Sequence, residues 1–420
     1  MKRNNIIISC LILLLFIASF CIILSNSFSR NQNITKDEEL IGTYIDGEYS
    51  ENIPNKDTGY VVEKIVCDNN AVGKWDYDNW GITLTNLSKK NKCNIHFRKG
   101  VKLANTINLV DTTGKCPTVN DDGTVNVTSA ESENSLLCMA PDAYGTSYYF
   151  RGNVQNNYVK FANFYWRIIR VNGDGSVRML YDGTSAHENG EASEDRQIGK
   201  SQFNDEYYDN AYVGYMYGKP GSSTYGETHA NINDSTIKKY VDNWYEKNIE
   251  NTISKQYIAD KVFCNDRTIS NITLDDYTNL GYQGENTTYR WYFDPTPANL
   301  TCLAKNDSFS VEDNKNGNSN LKYAIGLLSD DELYLAGGYV KWAVNSKNNF
   351  YLYTGTSYWL MSAAGYGSSS AWETRVDIDG NKNGFDLRVN ATYGVKPVIN
   401  LKSNSLKLGD GTINNPYTVE

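Results

Sequence analysis

Beyond residue 40, apolar and polar residues mostly alternate in short runs, bounded by Asn, Asp, Gly and Pro. A strand buries one face, so this period of two predicts half-buried strands. The clearest early runs are 60–66, 80–84 and 93–97. Turn clusters such as Ile45-Asp46-Gly47 and Pro54-Asn55-Lys56-Asp57 separate them. That spacing predicts a small antiparallel, β-sandwich-like module over 41–100. Further on, 164–171 and 177–181 are β-rich and joined by Asn172-Gly173-Asp174-Gly175, a hairpin signal. Late runs at 358–361, 372–378, 385–389 and 395–401 also read as strands.

Two segments change period. In "NDSTIKKYVDNWYEKNIE", Ile237, Tyr240, Val241, Trp244 and Tyr245 fall on one helical face, and Asp234 stands where it can cap the start. In "SDDELYLAGG", Ser329 and Glu332 have capping-box spacing, acids load the first turn, and Gly337 can end it. Two helices among many strands and long loops predict an α+β fold for a larger domain over 136–420. Residues 101–135 are rich in Gly, Asp and Ser and read as a connector, and 31–40 reads as a polar stalk.

The run 6–25 is apolar and uncharged and follows Lys2 and Arg3. A helix of about 20 residues just spans a bilayer. A positive flank stays inside, which leaves the remainder outside. Residues 1–30 therefore read as a signal anchor, a transmembrane helix that makes the membrane a partner and the bulk of the chain extracellular. A signal peptide cleaved after Ser27 is the alternative.

Eight cysteines occur, two of them, Cys10 and Cys21, inside that run. The others are Cys67, Cys93, Cys116, Cys138, Cys264 and Cys302. An even number in an exported chain argues for disulfides. Sequential pairing fits best, because each pair then closes a short loop within one segment. Free buried thiols are the other reading. No Cys-x-x-Cys occurs, which removes thioredoxin-like and zinc-knuckle readings.

The net charge is −9, with no long basic run past the N-terminus, so nucleic acid is not a partner. The 32 Tyr, 13 Phe and 8 Trp, with abundant Asn and Gly, favour sheets and loops over bundles. Catalytic motifs are absent. There is no His-Glu-x-x-His, and His187 and His229 lie in polar stretches that read as solvated loops. Ser235 to Lys238 matches Ser-x-x-Lys without its companion motifs, at the start of a helix. Glu188, Glu191, Glu194 and Asp195 read as a solvated loop, and no catalytic residue is assigned.

Tyr358, Trp359, Tyr366 and Trp372 cluster in "TGTSYWLMSAAGYGSSSAWETR", separated by small residues. That composition suits an exposed recognition loop, because Tyr and Trp faces stack on sugars or peptides. Burial of Trp359 and Trp372 in core strands is the competing reading, whereas Tyr366, beside two glycines, is expected at the surface. Asp379, Asn381, Asn383 and Gly384 match the front half of a calcium loop, but its twelfth position is Asn390 where a bidentate Glu belongs. The segment reads as a hairpin loop, with calcium as the one weak cofactor candidate.

The segments "YYFRGNVQNNYVKFANFYWRIIRVNGDGSVRMLYDG", "DNAYVGYMYG", "AIGLLSDDELYLAGG", "GVKPVINL" and "GDGTINNPYTVE" resemble a family of uncharacterised, membrane-anchored modular surface proteins of Gram-positive gut bacteria. The "YIDG…KCNIHF" segment resembles a small β module of the same proteins. The last third, with "YWLMS", is similar to C-type-lectin-like folds of the formylglycine-generating-enzyme type. The resemblance implies architecture and an outward-facing location; the aromatic cluster adds the expectation that the lectin-like domain binds glycan or protein without catalysis. A reactive cysteine pair is not implied, since Cys264 and Cys302 flank a loop they would staple. A carbohydrate-active hydrolase using paired Asp/Glu, or a purely structural envelope protein, are the alternatives.

Overall fold

In a computed structural model, the described residues are 41–419, apart from 59, 77–78, 87–90, 100–114, 128–134, 270–286, 291–296, 341–349, 368, 384–386, 404 and 407. The apolar run 6–25 and the stalk lie outside them. Among the described residues no helix is long and apolar enough to cross a membrane. Two compact units are present, Met1–Lys99 and Gly100–Glu420.

The fold is mostly β, with 40% strand against 14% helix, which corrects the α+β expectation; the expected N-terminal transmembrane helix falls outside the described residues. Among the described residues the α-helices are Tyr225–Thr228, Thr236–Tyr245 and Asp330–Ala336. Two-residue strands such as Phe263–Cys264 and Ser308–Phe309 add to the strand content.

The first unit holds a four-stranded sheet in the order Glu48–Ser50, Ile41–Ile45, Cys93–Lys99, Tyr60–Cys67. Ile41–Ile45 runs parallel to Cys93–Lys99, so the expected purely antiparallel arrangement is corrected. A hairpin of Val72–Asp76 and Gly81–Thr85 adds Trp75 to the core of Val62, Ile95 and Phe97. Trp75 meets Phe97 edge to face at 5.1 Å. Cys67 stands opposite Cys93 in register, and the two are disulfide-bonded. A staple is valuable here, because so small a core is marginal.

The second unit is built on two sheets. One runs Ile325–Gly326, Val398–Leu401, Val177–Gly183, Phe164–Val171, Gly145–Gly152, Ser135–Asp142. The other runs Lys200–Gln202, Thr392–Gly394, Tyr358–Gly367, Ser370–Val376, Asn381–Asn383, Tyr339–Val340. One apolar core joins them, with Trp166, Ile168 and Met179 from the first sheet and Trp359, Leu360 and Val376 from the second. The hairpin between Phe164–Val171 and Val177–Gly183 forms as its turn residues predict. Gly173 is required there, because a Cβ would lie 2.4 Å from the Gly145 backbone.

Helix Thr236–Tyr245 turns Ile237, Val241 and Tyr245 inward. Its cap is Ser235, whose Oγ accepts from Lys238 N at 3.2 Å, while Asp234 pairs with Lys238 Nζ at 3.1 Å. Helix Asp330–Ala336 carries the predicted capping box and ends at Gly337 with φ 112°. Cys116–Cys138 and Cys264–Cys302 complete the sequential set of disulfides. Three disulfides mark an exported, extracytoplasmic protein. The described part of the connector is structured: Val125 is fully buried and exchanges backbone hydrogen bonds with Ala298 at 2.8 and 2.9 Å.

Candidate functional site

The four aromatic candidates lie in the core. Tyr358 and Trp359 are 0% exposed, Tyr366 1% and Trp372 8%. They sit on the paired strands Tyr358–Gly367 and Ser370–Val376. Their polar tips are satisfied internally. Trp359 Nε1 donates to Ser201 O at 2.9 Å, Tyr358 OH to Leu352 O at 3.1 Å, and Tyr366 OH to Tyr208 O at 3.0 Å. The exposed-loop expectation is thereby corrected. The small residues between them serve close packing, since a Cβ on Gly365 would stand 2.5 Å from Thr287 O.

The calcium-like segment is a turn. Gly380 has φ 82° and donates its N–H to Asp377 O at 2.9 Å. Asp379 lies in this turn, whereas Asn381 and Asn383 belong to the strand that pairs with Ser370–Val376. Asn383 Nδ2 donates to Asp377 Oδ2 at 2.9 Å. Among the described residues no group of three or more His, Cys, Asp or Glu is arranged to hold a metal ion.

Both histidines of the second unit are buried, contrary to the solvated-loop reading. His229 lies in a directed chain. Arg267 Nη1 can only donate, so at 3.2 Å it makes His229 Nδ1 the acceptor. His229 Nε2 then faces Tyr289 OH at 2.9 Å, which donates to Asn210 Oδ1 at 2.9 Å. Burial, then the Arg267 guanidinium, holds the His229 imidazole well below its ordinary range.

His187 forms a triad-like group near the surface. Its Nδ1 meets Glu191 Oε1 at 3.0 Å, and its Nε2 meets Asp195 Oδ1 at 2.8 Å and Ser185 Oγ at 3.1 Å. A nucleophile–base pair needs a ring nitrogen free to take the serine proton. Here a carboxylate oxygen stands against each nitrogen, and Ser185 Oγ donates to Asp195 Oδ2 at 3.2 Å. The group is a loop clip. Burial pushes the Asp195 carboxyl up, but hydrogen bonds from Ser193, His187 and Thr184 outweigh it and hold it well below the carboxylate range.

Three further buried acids, Glu332, Asp266 and Asp331, are tied to arginines. Glu332, read from sequence as a cap, also meets Arg170 Nε at 3.3 Å and pairs with Arg178. Asp266 and Asp331 converge as a glycosidase pair would, and burial, opposed by Arg290, pushes the Asp331 carboxyl up to about 6. Arg290 Nη2 lies between them, at 2.6 and 2.7 Å, where a sugar oxygen or water would have to stand.

The feature that faces outward is a row of tyrosines. Ring centroids run Tyr207 to Tyr208 at 6.5 Å, Tyr208 to Tyr212 at 5.5 Å and Tyr212 to Tyr217 at 5.3 Å. Tyr208 is 47% exposed, Tyr207 and Tyr217 are half-buried, and Tyr212 is buried. The backbone beneath is pinned. Ala371 N donates to Tyr207 O at 2.7 Å, and Asp209 accepts from Ala211 N at 2.8 Å and Gly221 N at 2.7 Å. Arg388 caps the Tyr207 end, 5.4 Å from its ring. Exposed Asp205 and Glu206 border the other end, and after burial their fields, with that of Asp234, raise the Tyr217 hydroxyl. In the first unit, Tyr44 stacks on His96 at 4.7 Å, beside Tyr49, which is 53% exposed.

Sequence reasoning missed this row, although "DEYYDNAYVGYMYG" carries it. Its tyrosines follow neither a period of two nor one of 3.6, and that lack of period is the available signal for a shaped loop surface. No family model, no curated protein and no solved structure matches this chain.

Proposed function

We propose that the chain is a surface-exposed binding protein that recognises a glycan or protein ligand through the tyrosine row at 207–217, without catalysis. The observation that carries the reading is Tyr208, 47% exposed at the centre of a pinned aromatic row. Tyrosine offers large contact area at low entropic cost and a hydroxyl for polar recognition. Half-exposed rings on a fixed backbone bind with little ordering cost. The non-catalytic part of the reading is supported by Glu332, Asp266 and Asp331, which are committed to arginine, and by Asp195, which is held in a loop clip.

In this reading the apolar run 6–25 holds the chain at the cell membrane and the disulfide-bonded units act outside, in keeping with the resemblance to modular surface proteins. The test is a glycan array and a protein-capture screen, run with the chain and with Tyr208→Ala. Ligands retained by the first and lost by the second support the proposal. Equal retention of every ligand by Tyr208→Ala overturns it.

A further inference from the structure

The second sheet of the larger unit contains a carboxylate with no partner. Glu373, on strand Ser370–Val376, is 0% exposed, and neither of its carboxylate oxygens has a hydrogen-bond partner. Asn265 Nδ2 is likewise sealed from solvent and without one. The two groups border one spot. Ala363 stands opposite Glu373 in register and donates its N–H to Asn265 O at 3.2 Å. A Cβ on Gly214 would meet Asn265 Nδ2 at 2.8 Å, and the Gly214 N–H faces the Glu373 carboxylate and favours its charged form. Asn265 is oriented by its other end, because Oδ1 accepts from Tyr215 N at 2.7 Å. The amide N–H groups are therefore the part turned to the spot.

A buried donor or acceptor left unmade costs about 1–3 kcal/mol, and an ionised carboxylate costs more. The nearby cations are engaged elsewhere. Arg267 pairs with Asp307 at 2.6 Å and Lys382 with Asp330 at 3.9 Å. Internal water resolves such orphans when two to four polar partners surround it.

We propose that a water molecule binds between Asn265 Nδ2 and Glu373, beside Gly214, and that Glu373 is a neutral carboxylic acid. The water accepts from the amide N–H and shares a hydrogen bond with the carboxyl group, which supplies both a donor and an acceptor. Burial acts in the same sense. It pushes the Glu373 carboxyl well above its ordinary range, against Arg267 and with Asp330 and Asp307. A water that only donates to an ionised Glu373 is the competing state, because the amide N–H groups turned to the spot do not ligate a cation.

Two measurements on the full chain decide. The infrared spectrum at pH 7, taken as a difference between the wild-type chain and Glu373→Gln, should show a protonated-carboxyl band that the variant lacks. A crystal structure should show one density peak between Asn265 Nδ2 and Glu373, at hydrogen-bond distances. A band without density overturns the water site, and density without the band makes Glu373 an ionised acceptor and overturns the neutral acid. If Glu373→Gln does not fold, ¹³C NMR of labelled Glu carboxyl groups in the wild-type chain reads the same protonation state.

Discussion

Lys396 Nζ lies 3.3 Å from Asp182 Oδ1, and both side chains are closed to water. Asp182 also takes Arg196 at 2.8 Å and Arg167 at 4.0 Å. One carboxylate therefore holds three buried cations, and the Lys396 ammonium, pulled down by burial against the pull of Asp182, falls to about 7. Asp182→Ala strands all three cations and is expected to destabilise the second unit by about 3–5 kcal/mol, measured by urea unfolding.

Lys396→Met should behave differently, because Asp182 keeps its two arginines. The folded-state value lies below the ordinary lysine value of about 10.4, so the lysine's contribution is fully present above that pH. It is lost as pH falls through about 7. Stability of the wild-type chain relative to Lys396→Met should therefore fall between about pH 10 and pH 7, read from unfolding midpoints across that range.

Asp195 sets the opposite end of the pH range. Its carboxyl is held below the ordinary range in the fold, so its contribution is present above about pH 4 and lost as pH falls further. Asp195→Asn should flatten the acid limb of the stability curve. It should also free the loop 184–195, seen as faster amide exchange at Thr184 and Ser185, whose N–H groups now bond Asp195.

The disulfides make a separate prediction. The native chain should take up no alkylating reagent at Cys67, Cys93, Cys116, Cys138, Cys264 and Cys302, and all six should react after reduction. Cys67→Ser with Cys93→Ser should cost the first unit about 2–4 kcal/mol, a large share of so small a core.

Local features were legible in the sequence. The hairpin around Gly173, the inward face of helix Thr236–Tyr245 and the capping box at Ser329 are each encoded within a few residues. Long-range features were not. The parallel pairing of Ile41–Ile45 with Cys93–Lys99 joins residues about fifty positions apart and leaves no local mark. Tyr366 looked exposed because glycines flank it, yet one of them, Gly365, admits the neighbouring Thr287–Thr288 strand. His187 sits among polar residues because Ser185 and Glu191 are its partners, whereas the buried partners of His229, Arg267 and Tyr289, lie far along the chain. The tyrosine row was overlooked for a related reason: its members come together through loop folding, and none of them follows a period.

The most direct measurement is ligand affinity of the chain, Tyr208→Ala and Tyr208→Phe, for a ligand retained in the screen, with a thermal melt of each. Tyr208 is 47% exposed, so truncating it should leave the melt nearly unchanged. The account predicts that Tyr208→Ala loses about tenfold or more in affinity, roughly 1.4 kcal/mol, and that Tyr208→Phe keeps the stacking part of it. Undiminished binding by a folded Tyr208→Ala would contradict it.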